Sequence, residues 1–115
     1  MNGDYLPSLN RNALVVSPGE GYLAWARTCP DVTPDLDIEG HFEGGTVYLL
    51  PEMKAGPERW LQRNYAAIFE EELESWHRDP EGWPQNRTHK MFKQFFKTRF
   101  CSMVFDLGKE PLEAE

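Results

Sequence analysis

The sequence predicts an α+β domain. It is expected to hold a small three-stranded mixed sheet with two to three helices mainly on one face, in the order β-α-β-α-α-β. Three observations carry this reading. Two short runs, Asn12-Ala13-Leu14-Val15-Val16 and Thr46-Val47-Tyr48-Leu49-Leu50, are apolar and bounded by turn residues, as strands are. Between them and the carboxy-terminal third, apolar side chains recur at helical spacing. With 115 residues, 40% of them hydrophobic, the chain has enough for one core and too little for two.

Residues 1 to 11 are polar, contain Gly3 and Pro7 and show no period, so a flexible arm is expected there, ahead of a domain spanning residues 12 to 107. The run from Asn12 to Val16 suits a strand buried on both faces. Ser17-Pro18-Gly19-Glu20 then reads as a helix start, with Ser17 as N-cap, Pro18 in the first turn and Glu20 completing a capping box. That helix carries Tyr22, Leu23, Trp25 and Ala26 and stops near Cys29, before Pro30. An acidic connection follows, with Asp31, Asp35, Asp37, Glu39 and Glu43 and no Lys or Arg; Thr33-Pro34 could cap one helical turn within it, and Gly44-Gly45 ends it. The second strand is closed by Pro51. Strand, helix and strand in this order fit a crossover unit, right-handed if the strands are parallel.

Gly56-Pro57-Glu58 opens the longest helix, expected to reach about Trp76 with Leu61, Tyr65, Ile68, Phe69, Leu73 and Trp76 as its core stripe. A turn-rich link around Pro80 and Pro84 leads to another helix, expected from about residues 86–88 to Phe100 with Met91, Phe92, Phe95, Phe96 and Phe100 on its apolar side. Residues 101 to 107 alternate as a third strand would, and residues 108 to 115 read as an acidic solvated tail. A sheet of three strands leaves a face or its edges short of cover, which a second copy could supply.

The segment from Trp83 to Leu107 is the most distinctive. Trp83-Pro84, Arg87-Thr88, Phe92, Phe96, Ser102-Met103-Val104 and Asp106-Leu107, together with the two early strands, resemble a group of small uncharacterised bacterial proteins. The resemblance spans most of residues 12 to 107. It implies a compact α+β fold and brings no activity, cofactor or catalytic residue.

The formal net charge of −7 weighs against wholesale attraction to nucleic acid or anionic membrane. No apolar run nears the roughly 20 residues of a membrane helix, and Met1-Asn2-Gly3-Asp4 lacks the features of a signal peptide, so a cytoplasmic protein is expected. Cys29 and Cys101 read as buried free thiols. Charge is nonetheless unevenly spread. Residues 66 to 82 carry six acids against Arg78, whereas residues 86 to 100 carry Arg87, Lys90, Lys93, Lys97 and Arg99 and no acid. Lys90, Lys93 and Lys97 would form one stripe on a helix, able to follow a phosphate backbone, to face the neighbouring acids or to stand in solvent.

Candidate chemistry is sparse. His41, His77 and His89 have no i, i+4 pairing that would favour a metal, and His77 near a helix end can serve the last carbonyls instead. No cofactor motif occurs: Gly19-Glu20-Gly21 lacks the rest of a phosphate loop, and Ser17 and Ser102 lack a nucleophile elbow. Glu72 falls close to the apolar stripe of the long helix and would need a partner there, for which Arg87 or Arg99 is placed. Of four tryptophans, Trp83, Trp25 and Trp76 are candidates for an interface, with Trp83 either a plug over the core or a contact residue. The leading expectation is a non-enzymatic protein-interaction module, as a homodimer or an adaptor. The alternative is a nucleic-acid accessory protein using the basic helix 87–99, and the third is a small enzyme with an acidic or histidine site.

Overall fold

Alternation in the first strand decides which side of the sheet becomes the core. In the computed structural model, which describes residues 6–30 and 32–115, β1 is Arg11–Pro18 and lies at the centre of the sheet. Leu14 and Val16 are wholly buried on one face, while Arg11, Val15 and Ser17 alternate to the other. β2 (Thr46–Pro51) and β3 (Phe96–Cys101) flank it, giving the order β2-β1-β3. Leu14 stands opposite Tyr48 and Phe100, and Val15 opposite Val47 and Arg99.

The helices are α1 (Glu20–Thr28), the single turn α2 (Ile38–His41), α3 (Glu58–Glu74) and α4 (His89–Phe95), with a 3-10 turn at Pro80–Gly82. They gather over the face of Leu14 and Val16, so the α+β class stands as expected from sequence. Phe96 is central to the core, its ring 5.4 Å from Tyr22, 5.3 Å from Phe69 and 5.0 Å from Phe92. Such offset and edge-on aromatic pairs add to the apolar area they bury. Buried Asn12 ties the sheet's end together: its amide donates to the Ser102 carbonyl at 3.0 Å and accepts from the Met53 N–H at 2.7 Å.

Several local expectations are corrected. Both strand pairs are antiparallel, so the sheet is not mixed and β1 to β2 is no parallel crossover. The Gly44-Gly45 turn leads into β2 close to β1: both residues have φ near +80°, and a side chain on Gly45 would meet the Val16 carbonyl oxygen at 2.5 Å. Ser17 and Pro18 belong to β1, opposite Lys97 and Phe96, and α1 is capped by Gly19 with no side-chain bond. The Gly19 N–H continues the pairing to the Phe95 carbonyl at 2.7 Å, and a paired ladder outweighs one capping bond. A hydrogen-bonded turn does start at Thr33, where the Leu36 N–H donates to the Thr33 carbonyl at 3.1 Å, but the helical turn of the acidic connection is capped by Asp37, whose carboxylate accepts from the Gly40 N–H. Asp31 of that connection and residues 1–5 of the amino-terminal arm lie outside the described residues.

The largest difference concerns residues 96 to 101. The helix expected to reach Phe100 ends at Phe95, and the next six residues form β3. Phe92 and Phe96 satisfy a helical period, but Phe96, Thr98 and Phe100 equally satisfy a strand period. β1 needs a partner on its second side, and pairing with it settles the conformation in favour of the strand. Residues 102–107 are consequently no third strand; only Ser8 and Phe105 form an isolated bridge there, beside a Leu9 N–H to Val104 carbonyl bond of 2.7 Å. Residues 8 and 9 of the expected arm are thereby attached to the domain.

Candidate interaction surface

The candidate tryptophans point into the fold. Trp25 donates its indole N–H to the Gly82 carbonyl at 2.9 Å, Trp76 to Ala26 at 3.1 Å and Trp83 to His77 at 2.7 Å. All three fasten the link between α3 and α4 to α1 or to the end of α3, and each polar ring atom is satisfied by main chain. Trp83 is half-buried and packs against the core, and the Arg87 guanidinium lies 5.7 Å from its ring and 5.9 Å from that of Phe69. Arg87 also donates to the Pro84 carbonyl at 2.8 Å and pairs with Glu70 at 3.1 Å.

The basic stripe does not survive as a stripe. Arg87 is held in that clasp before α4, and Lys90 is exposed on α4. Lys93 borders a groove of about 510 Å³ with Glu58, Gln62 and His89, floored by Leu61, Phe92 and Phe96. Lys97 projects from β3 on the far side of the sheet. The helical spacing that joined them ends where the backbone turns into a strand.

Glu72 is buried, but neither Arg87 nor Arg99 reaches it. Its carboxylate accepts instead from the Tyr48 hydroxyl at 2.5 Å, while its main-chain carbonyl, orphaned at the end of α3, accepts from Tyr22 at 2.6 Å and Ser75 at 2.8 Å. Burial pushes the Glu72 carboxyl above the ordinary carboxylate range, against the Tyr48 and Thr46 hydroxyls, which hold it down. Both tyrosines are raised, chiefly by burial. The cluster joins α1, α3 and β2. It is a polar rivet, and it lines neither the groove beside Lys93 nor the cleft on the sheet.

The histidines are dispersed. His41 packs edge-on to Trp76 at 5.3 Å, His77 lies against Gly82, and His89 is 5.7 Å from the Tyr65 ring. Among the described residues no three His, Cys, Asp or Glu side chains are grouped to hold a metal ion. Cys29 and Cys101 are free and only partly buried. No helix among the described residues is long and apolar enough to cross a membrane.

The outer face of the sheet is exposed over part of its area, although Ala13 on it is buried. Val47 is 60% and Leu49 48% exposed, with Val15 between strands beside Val47. On the same face stand Arg11 at the start of β1 and, on the opposite edge strand β3, Lys97 and Arg99, all exposed. No carboxylate occupies an outward ladder position, although acids exceed bases by seven in the whole chain. A shallow cleft of about 360 Å³ opens here, lined by Val15, Ser17, Gly44, Lys97, Thr98 and Arg99. Helical periodicity assigns Lys97 and Arg99 to a helix, which hides this surface from the sequence. The available signal was the alternation Phe96, Thr98, Phe100 against Lys97, Arg99.

No family model matches the chain, and neither the curated proteins nor the solved structures contain a significant match to it.

Proposed function

We propose that the protein is an interaction module whose outer sheet face receives an acidic, aliphatic-bearing segment of a protein partner. The observation that carries this reading is an apolar strip, Val47 and Leu49 on β2 with half-buried Val15 on β1, lying beside cations on the opposite edge strand, Lys97 and Arg99, and at the start of β1, Arg11. Apolar area of this kind gives affinity to a binding surface, and charges beside it give specificity and encounter rate. Both outer sheet edges also have unpaired positions, so a partner segment could add as a strand. Two such faces would repel each other, which disfavours a face-on-face homodimer and favours an acidic occupant.

A second reading, single-stranded nucleic acid on the same face, draws on the same three cations. The outward ladder positions hold no aromatic ring on which a base could stack, so the protein partner is the better fit.

Tagged capture from native lysate tests the choice, with nuclease-treated and untreated halves and a Val47→Asp/Arg99→Glu variant beside the wild type. The expected result is a protein held in both halves, released by salt and lost from the variant. Identical capture by both proteins would refute the assigned surface, and loss of capture on nuclease treatment would transfer the face to nucleic acid.

A further inference from the structure

Resting on that assignment of the outer face, a segment with the complementary chemistry occurs in this chain. After Phe105 bridges Ser8, the backbone leaves the sheet at the Arg11 end of β1. Residues 106–115 carry Asp106, Glu110, Glu113 and Glu115 against Lys109, and hold two aliphatic side chains in solvent, Leu107 at 73% and Leu112 at 65% exposure. We infer that residues 106–115 of one copy lie across the outer sheet face of a second copy, with acids toward Lys97 and Arg99 and leucines toward Val47 and Leu49.

Area and charge both favour this exchange over a flat dimer. Three strands about 4.8 Å apart and six residues long at about 3.3 Å each give a face of roughly 300 Å². A stable complex buries about 800 Å² on each partner, so one face laid on another is too small as well as repulsive. Reciprocal exchange uses each face and each tail once, forming the contact twice about a two-fold axis. Ten extended residues span at most about 33 Å, enough to cross a face about 20 Å long.

Equilibrium sedimentation of the full chain tests this with charge reversals at exposed positions, which leave the core untouched. The face variant is Lys97→Glu/Arg99→Glu, and the tail variant is Glu110→Lys/Glu113→Lys/Glu115→Lys. The wild type is expected to pass from monomer to dimer with concentration, and each variant alone to associate at least about tenfold more weakly. Mixed in equal amounts, the two variants are expected to recover the dimer, since each tail then meets a face of opposite sign. A wild type that stays monomeric at every concentration overturns the exchange. A dimer weakened by the face variant and indifferent to the tail variant also overturns it, while leaving the face as an interaction surface. A dimer indifferent to both variants counts against the exchange and against the face as the site of self-association.

Discussion

At the scale of single residues, Glu72 shows how burial sets a group's behaviour. Its carboxyl is raised by desolvation and restrained by the Tyr48 hydroxyl, with Glu71 nearby adding to the rise. A folded-state value above the unfolded one stabilises the fold at low pH, and this contribution is lost as pH rises through the folded value. Glu72→Gln should therefore gain stability relative to wild type as pH increases from about 4.5, measured by urea unfolding at several pH values. A constant difference across pH would remove Glu72 as the source. Tyr48→Phe deletes a donor to a buried acceptor and should cost about 1–3 kcal/mol. It should also raise the Glu72 carboxyl further, steepening the pH dependence. Phe96, 5% exposed among three rings, gives a second test: Phe96→Ala should cost about 3–5 kcal/mol in denaturant unfolding. A loss under about 1 kcal/mol would be that of a surface position.

At the scale of elements, close approach of α1 to α4 depends on a missing side chain. A Cβ on Gly21 would stand 2.7 Å from the Phe95 ring and 3.0 Å from the Gln94 carbonyl oxygen. Gly21→Ala should therefore prise the two helices apart and cost about 1–3 kcal/mol by overpacking, despite alanine's better helix propensity. A rise in melting temperature would mean that the contact relaxes freely. The change from α4 to β3 at Phe96 predicts its own signature in hydrogen exchange. Amides of residues 96–101 that pair with β1 should be protected, with their unpaired neighbours exchanging early, whereas a continued helix would protect them all alike. The helix α3 carries Glu70, Glu71, Glu72 and Glu74 at its carboxy-terminal end, unfavourable to its dipole. Burial of Leu61, Ile68, Phe69 and Leu73 against the core holds it in place.

At the scale of the whole molecule, segregation of charge matters more than its sum. A net charge of −7 speaks against general attraction to nucleic acid, yet the outward ladder positions of the sheet hold cations and no acid. Association through that face should weaken as salt rises from about 50 to 500 mM, because exposed charges are screened over a shortening distance. The aliphatic contact should keep a residual, salt-insensitive part, so dimerisation measured by sedimentation should fall to a plateau rather than to zero. Lys93→Glu, which reverses charge beside the groove on the other side of the sheet, should leave this profile unaltered.

The α+β class, the two early strands, α3 and its buried stripe, and the stops at Cys29, Gly44-Gly45 and Pro51 were legible in the sequence, because each rests on local periodicity or on a residue that restricts its own backbone. The partner of Glu72, the roles of the tryptophans, the buried bonds of Asn12 and the end of α4 were not. Each depends on a residue distant in sequence: Tyr48 for Glu72, Gly82 for Trp25, Ser102 for Asn12 and β1 for β3. Residues 96–101 fit both periods, so their own pattern is neutral. Tertiary pairing with β1 chose the strand, and with it turned Lys97 and Arg99 onto the open face.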